Sequence, residues 1–258
     1  MTASPSVKVF ITGASSGLGL ALAAEYARQG ATLGLVARRG EALAEFAQRF
    51  PSSSISIYPA DVRDAGALAQ AAARFVAAHG CPDVVIANAG ISKGAITGEG
   101  DLDAFREIMD VNYYGMVATF EPFIAPMTAA RHGTLVGIAS VAGVRGLPGS
   151  GAYSASKAAA IKYLEALRVE LRAAQVAVVT IAPGYIRTPM TEHNPYPMPF
   201  LLDAERFAAQ AVKAIARQAS FRVIPWQMGV VAKLLHVLPR WLYDRLFEKA
   251  PRKPRATK

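Results

Sequence analysis

Two residues set the first question. "YSASK" at residues 153 to 157 places Tyr153 four positions before Lys157, and on a helix that spacing puts both side chains on one face, about one turn apart. A phenol beside an ammonium has a use in acid–base chemistry, because a tyrosine that can exchange its proton near neutral pH serves as a general acid in one direction and a general base in the other. The ordinary phenol pKa is about 10, so this use asks for a fall of roughly three units, or about 4 kcal/mol. An ammonium about 4 Å away, at an effective dielectric of about 20, supplies roughly that much. The same spacing also fits an inert pair on a helix surface, and other motifs must decide between the two.

A second constellation lies near the N-terminus, in "VFITGASSGLGLALAAEYARQG". Gly13, Gly17 and Gly19 fall between a strand-like run and a helix-like run, where missing side chains let backbone N–H groups approach a pyrophosphate at the positive end of the helix. A glycine-rich turn alone often only connects, but a strand before it and a helix after it favour a dinucleotide site. The end of the next strand-like run distinguishes the dinucleotides. An Asp or Glu there binds the ribose 2′-hydroxyl of NAD; this chain has Ala37, Arg38 and Arg39 instead. Arg38 suits a 2′-phosphate, with Ser15 as a neutral donor nearby, and this points to NADP(H). The competing reading of Arg38 and Arg39 is a solvated surface pair.

Elements that must position these residues follow from the hydrophobic pattern. Seven strand-like runs ("VKVFI", "ATLGLVA", "SISIY", "DVVIAN", "GTLVGIAS", "VAVVTIAP" and "FRVIP") alternate with amphipathic segments. Parallel strands need crossovers and are buried on both faces, so the pattern predicts a doubly wound, Rossmann-like α/β fold. It comprises a parallel sheet of about seven strands with helices on both faces and a C-terminal helical extension. With 258 residues the chain can bury a large core and is short enough for one domain. Residues 7 to 225 or so would form its core and 226 to 258 an amphipathic, basic extension.

Composition narrows the classes. The chain is 52% hydrophobic and 18% charged, which argues against disorder. Cys81 is the single cysteine, so neither an internal disulfide nor a cysteine-rich metal site is expected, and no metal is assigned. No secretory signal is read at "MTASPSVKVFITG" and no run is long enough to span a membrane, so a cytoplasmic protein is expected. The net charge is +9, but from Arg240 onward seven Lys/Arg face two acids. More than half the excess therefore sits in the tail, and with no recognition motif, nucleic acid is not expected as a partner.

"TGASSGLG" (12 to 19), "NAG" (88 to 90), Asn112 in "VNYYG", Ser140 in "GIAS", "YSASK" and "PGYIRTPM" (183 to 190), in this order, resemble the short-chain dehydrogenase/reductase family. The resemblance runs from about Val7 to Met190, and the strand near Val223 extends it. It implies a catalytic tetrad of Asn112, Ser140, Tyr153 and Lys157. Tyr153 would protonate the alkoxide formed on carbonyl reduction, with Ser140 on the substrate oxygen. Lys157 would tune the phenol and bind the nicotinamide ribose, and Asn112 would hold a water relaying protons to Lys157. By resemblance Ser16 and Leu18 belong to the phosphate turn, Asp61 and Val62 contact the adenine, and Asn88, Ala89 and Gly90 line the adenosine side. Pro183, Gly184, Ile186 and Thr188 would hold the nicotinamide end.

The implied activity is NADP(H)-dependent interconversion of a ketone or aldehyde with an alcohol. The alternative is a catalytically silent NADP(H)-binding protein of the same fold, whose mark would be loss of the tetrad. "TPMTEHNPYPMPFLL" (188 to 202) reads as an apolar cover for a small-molecule substrate such as an acyl-chain, sphingoid or steroid-like ketone, although a small ketone also fits. Packing of this stretch on its own helix or on a neighbouring subunit is the other reading, and a homodimer or homotetramer is expected. Beyond the sheet, Trp226 to Leu238 is apolar and Pro239 interrupts it. Trp241, Leu242, Leu246 and Phe247 then alternate with Arg240, Asp244, Arg245, Glu248 and Lys249. This tail suits either peripheral membrane contact or packing over the cleft or across a subunit contact with a solvated basic end.

Overall fold

The computed structural model describes residues 6–192, 194–253 and 255. The first five residues, His193 of the apolar cover, and Pro254 and residues 256–258 of the tail, with the counted Lys258, lie outside the described residues. The strands in chain order are β1 (Lys8–Thr12), β2 (Thr32–Ala37), β3 (Ile55–Pro59), β4 (Val84–Ala87), β5 (Thr134–Ile138), β6 (Ala177–Pro183), β7 (Ile186–Arg187), β8 (Leu202–Asp203) and β9 (Phe221–Ile224). The helices are α1 (Gly17–Arg28), α2 (Gly40–Gln48), α3 (Ala65–His79), α4 (Leu102–Met109), α5 (Gly115–Ala130), α6 (Gly151–Glu170), α7 (Ala204–Ala216), α8 (Trp226–Val237) and α9 (Arg240–Phe247).

Each of the seven predicted runs becomes a strand of one sheet, ordered β3-β2-β1-β4-β5-β6-β9 and paired in parallel throughout. The runs ending in Asn88 and Ser140 stop one or two residues earlier, at Ala87 and Ile138, and Asp61 and Val62 lie past the end of β3; those residues sit in the loops that leave the sheet. β7 and β8 form a separate two-stranded ribbon that no sequence pattern announces.

Alternation along the strands distributes their side chains between two cores. Val9 and Ile11 of β1 share one core with Leu22 of α1 and Phe207 of α7. Phe10 points the other way, its ring centroid 5.6 Å from that of Phe75 on α3 and 4.9 Å from that of Phe123 on α5. Strand β2, "TLGLVA", is buried along its whole length, as expected of a strand covered on both sides. Gly137 of β5 lies under α6: a Cβ there would come within 2.3 Å of Leu164 Cδ1. The missing side chain lets α6, with Tyr153 and Lys157 at its start, lie close to β5 and the residues that follow it.

Strand order reverses between β1 and β4, and in open α/β sheets such a switch opens a crevice outside the carboxyl ends of the strands.

Candidate active site

A cleft of about 340 Å³ occupies that crevice. It runs from Arg38 and Arg39, past the turn after β1, to Tyr153 and Lys157, and ends at Thr188 to Thr191. Gly13 has φ +68°, and a Cβ on it would sit 2.7 Å from the Ala89 Cα; the turn therefore needs both the left-handed backbone and the absent side chain. Asn88 braces it from behind, its Nδ2 donating to the carbonyls of Thr12 and Gly13, each at 3.1 Å. Gly19 does not face the cleft. It serves the turn's packing, since a Cβ there would lie 2.3 Å from the Gly13 carbonyl oxygen.

Ser16 enters α1 in an extended conformation and makes no side-chain cap. The N–H groups of the first helical turn have no intrahelical acceptors, and Ser16, Gly17 and Leu18 line the cleft there. This end of the cleft fits the pyrophosphate of a dinucleotide. Farther out, exposed Arg38 and Arg39 flank it, and Arg39 Nη2 lies 3.4 Å from Ser15 Oγ. Asp61 and Val62 form the adjoining wall with Ala60. The Asp61 carboxylate accepts Arg63 Nε at 3.1 Å and Nη2 at 2.6 Å. That hydrogen bonding with Arg63 holds the carboxyl below the ordinary range, with Arg38 adding to it. Nothing in the sequence pattern pointed to Arg63.

At the other end, Ser140 follows β5 and starts a short 3-10 turn (Val141–Gly143). Its Oγ accepts the Ala142 N–H at 3.1 Å, and its hydroxyl lies close enough to the Tyr153 phenol to lower that group's pKa. Lys157 is 3% exposed, with Nζ donating to the Ile138 carbonyl at 2.8 Å and lying 5.9 Å from the centre of the Tyr153 ring. Ser140, just past the end of β5, is thus brought together with Tyr153 and Lys157 of α6.

The expected electrostatics needs correction. Burial pushes the Tyr153 phenol above its ordinary pKa, opposed only by the nearby Ser140 hydroxyl, and burial lowers Lys157 to about 8. The phenol is therefore protonated at neutral pH. An ammonium that donates to the Ile138 carbonyl and makes no hydrogen bond to the phenol does not offset the burial of the phenol, and the predicted downward shift is not seen.

Asn112 is buried, whereas an asparagine in mid-helix is ordinarily tolerated at the surface. Residues Asp110–Tyr114 form a π-helical turn between α4 and α5, and such a turn re-aims the side chains it carries. The Asn112 carboxamide accepts Ile91 N–H at 2.8 Å and donates to the Ile91 carbonyl and Ser156 Oγ, both at 3.0 Å. It does not line the cleft; it holds the chain leaving Gly90, whose Cβ, were there one, would lie 3.3 Å from Asn112 Oδ1 and 3.5 Å from Lys157 Nζ.

Pro183, Gly184, Ile186 and Thr188 line the cleft as the sequence suggested, together with Met190 and Thr191. Thr191 was not foreseen. Its Oγ1 accepts Thr188 N–H at 3.1 Å and donates to the Ile186 carbonyl at 2.7 Å, fixing that loop. Tyr196 of the apolar cover packs on Tyr185, centroids 6.3 Å apart, and its phenol is raised by burial and by the nearby Tyr185 and Tyr153 phenols. Through Met190 and Thr191 the start of the cover lines the cleft.

The tail packs over this end as well. Met228 of α8 fills the space over Gly184, where a Cβ would meet its Cγ at 2.6 Å. The Tyr243 hydroxyl donates to the Gly146 carbonyl. The basic end is not simply solvated: Lys253 Nζ lies 2.8 Å from Ser92 Oγ, and Arg255 pairs with Glu99 and Asp101. Among the described residues no helix is long and apolar enough to cross a membrane, and no group of three His, Cys, Asp or Glu is placed to hold a metal.

A family model described as short chain dehydrogenase matches residues 7–197. An uncharacterized oxidoreductase of Myxococcus xanthus is 36% identical over 236 residues, covering 91% of this chain and 93% of the relative. Dehydrogenase/reductase SDR family member 7B of Rattus norvegicus is 37% identical over 189 residues, 70% of this chain and 58% of the relative. The crystal structure of a short chain dehydrogenase from Burkholderia cenocepacia in complex with NADP superposes with TM-score 0.82 at 25% identity, covering 95% of this chain and 98% of that one. One from Burkholderia phymatum in complex with NAD, at 23% identity, shares the fold with TM-score 0.83 over the whole of both chains.

Proposed function

Because the chain belongs to the short-chain dehydrogenase family of oxidoreductases, we propose that it is an NADP(H)-dependent enzyme that interconverts a ketone or aldehyde with an alcohol, working as a carbonyl reductase on an apolar substrate. The observation that carries this reading is the grouping of Ser140, a half-buried, protonated Tyr153 and a buried Lys157 at the end of a dinucleotide-shaped cleft.

In this reading the dinucleotide, when bound, supplies or accepts the hydride. Its pyrophosphate is held by the turn of Gly13 to Gly19, and its adenosine by Asp61, Val62 and Asn88 to Gly90. Its nicotinamide end is held by Lys157 and the Pro183 to Thr188 loop. Arg38, with Arg39 braced on Ser15, offers the 2′-phosphate charge-assisted hydrogen bonds, and the end of β2 carries no acid in place of Arg38; this supports NADP(H) over NAD(H). Ser140 positions the substrate oxygen and Tyr153 donates the proton that the forming alkoxide needs. Lys157, with a pKa lowered to about 8, can return a proton to the phenol after turnover. Asn112 keeps the Ile91 backbone in register with these groups, by direct hydrogen bonds in addition to any water it holds.

Met190, Tyr196 and the prolines around them support an apolar substrate, an acyl-chain, sphingoid or steroid-like ketone. Cells commonly hold NADP reduced, which favours reduction as the working direction. We read residues 1–258 as one cytoplasmic unit that assembles as a homodimer or homotetramer, with 226–258 as its extension. The test follows NADPH oxidation by the purified protein against ketones and aldehydes of increasing chain length. Turnover rising with chain length is expected. NADPH binding without oxidation by any of them would instead mark a silent cofactor-binding protein.

A further inference from the structure

Helix α8 is apolar on two opposite sides, and only one is covered. Met228 and Ala232 are buried against the sheet end and the 3-10 turn, with Leu235 half-buried beside them. On the outward side Trp226, Val230, Leu234 and Val237, at spacings i, i+4, i+8 and i+11, share one face and are 65%, 49%, 63% and 73% exposed. A helix apolar all round is ordinarily buried all round. Trp241 and Leu246 on α9 are also exposed, so six of the thirteen exposed large apolar side chains among the described residues fall between 226 and 246. The contiguous part of this exposed apolar surface is the α8 stripe, and such a stripe on a helix otherwise packed on the fold calls for a partner.

We propose that this outward face of α8 docks on an anionic lipid surface. The charge around the stripe chooses among occupants. Lys233 on α8 and Arg240 and Arg245 on α9 are exposed, and among the described residues none of the three forms an ion pair. Asp244 and Glu248 offset part of this charge; Lys249 and Arg252 add to it. Two copies meeting through this face would bring together two net-positive segments, each with five Lys/Arg against two acids over residues 233–252, and such like-signed surfaces oppose association. Anionic headgroups complement the same cations, and indoles such as Trp226 and Trp241 favour the headgroup boundary. At 12 residues the helix is about 18 Å long, which suits lying in the interface and not crossing it.

The test is co-sedimentation of the full chain with phosphatidylcholine vesicles, with and without about one-third phosphatidylglycerol, at about 0.05 M and about 0.5 M salt. Binding to the anionic vesicles at low salt is expected, falling by about tenfold or more at high salt or without phosphatidylglycerol. The L234E/V237E double variant, at exposed positions, should lose binding by a similar factor with an unchanged near-ultraviolet circular dichroism spectrum and thermal midpoint. The K233E/R240E double variant leaves the stripe intact and should lose most of the salt-sensitive part. The proposal is overturned if anionic vesicles do not sediment the protein or if both variants bind like the parent chain. It is equally overturned if sedimentation velocity finds a dimer that L234E/V237E turns into monomers while vesicles capture neither.

Discussion

Arg145 ties the loop between β5 and α6 to the C-terminal extension through Tyr243. Its guanidinium carbon lies 4.3 Å from the centre of the Tyr243 ring. Its Nη1 reaches the carbonyls of Leu235 at 2.9 Å, His236 at 3.3 Å and Leu238 at 3.1 Å. Those carbonyls are the ones a helix end leaves without partners, and a cation there also suits the helix dipole. Arg145 stands between Ser140 and Tyr153 in the chain, so the extension is fastened to the segment that carries the site. Hydrogen bonds from a charged donor contribute about 1.5–3 kcal/mol. Arg145→Ala should therefore loosen α8 and α9 by about that amount, seen as faster amide hydrogen exchange over 226–247 with little change in β1, β4 and β5. Uniform acceleration through the sheet would contradict a local clamp.

Asn112→Ala should strand the Ile91 N–H and carbonyl. A buried group left without its partner costs about 1–3 kcal/mol, so the variant should unfold at lower denaturant concentration. Exchange should rise first in residues 88–95. A change in activity with unaltered stability and exchange would assign Asn112 to water handling alone.

Burial of Lys157 makes stability depend on pH with a definite sign. Its folded pKa of about 8 lies below its ordinary 10.5, so between those values the unfolded chain holds more protons than the folded one. Unfolding free energy then rises with pH across that window. Lys157→Met keeps much of the volume and removes the titration. Relative to this variant, the parent chain should gain roughly 3 kcal/mol between pH 7 and about pH 10.5, read from urea midpoints at several pH values. A parent-minus-variant difference that stays flat over this range would mean that the ammonium is not desolvated.

Tyr153→Phe keeps the ring and removes the proton donor. Turnover should fall by about 10²–10⁴-fold, the usual worth of a positioned general acid, while NADPH affinity changes by less than about threefold. Fluorescence titration of NADPH beside steady-state rates separates the two effects. Near-normal turnover in the Phe variant would remove Tyr153 from the proposed role.

For the cofactor, Arg38→Ala should weaken NADPH binding by about 1.5–3 kcal/mol, the range for a charge-assisted hydrogen bond, and leave NADH nearly unchanged. Arg39→Ala should have the smaller effect of the two, because Arg39 is partly engaged by Ser15. Isothermal titration with both dinucleotides gives the comparison, and equal affinity of the parent chain for NADPH and NADH would defeat the proposed preference.

Local pattern alone determined much of this protein. Period-2 and continuous apolar runs mark all seven sheet strands because a strand's burial is written in its own residues. Glycines 13, 17 and 19 between a strand and a helix announce the tight turn after β1, and the four-residue step from Tyr153 to Lys157 follows from helical periodicity. What tertiary structure decided is of another kind. The burial of Asn112 depends on a π-helical turn and on a partner, Ile91, from another loop. The direction of the Tyr153 and Lys157 pKa shifts depends on local desolvation and on the distance between them, neither of which spacing along the chain specifies. Arg63 beside Asp61, Thr191 beneath Thr188 and Arg145 at the end of α8 each satisfy backbone or carboxylate groups whose position exists only after folding. The tail's two apolar sides read as one apolar segment in the sequence; packing of Met228 and Ala232 alone separates a covered face from an open one, because burial belongs to the assembled surface and not to the residue.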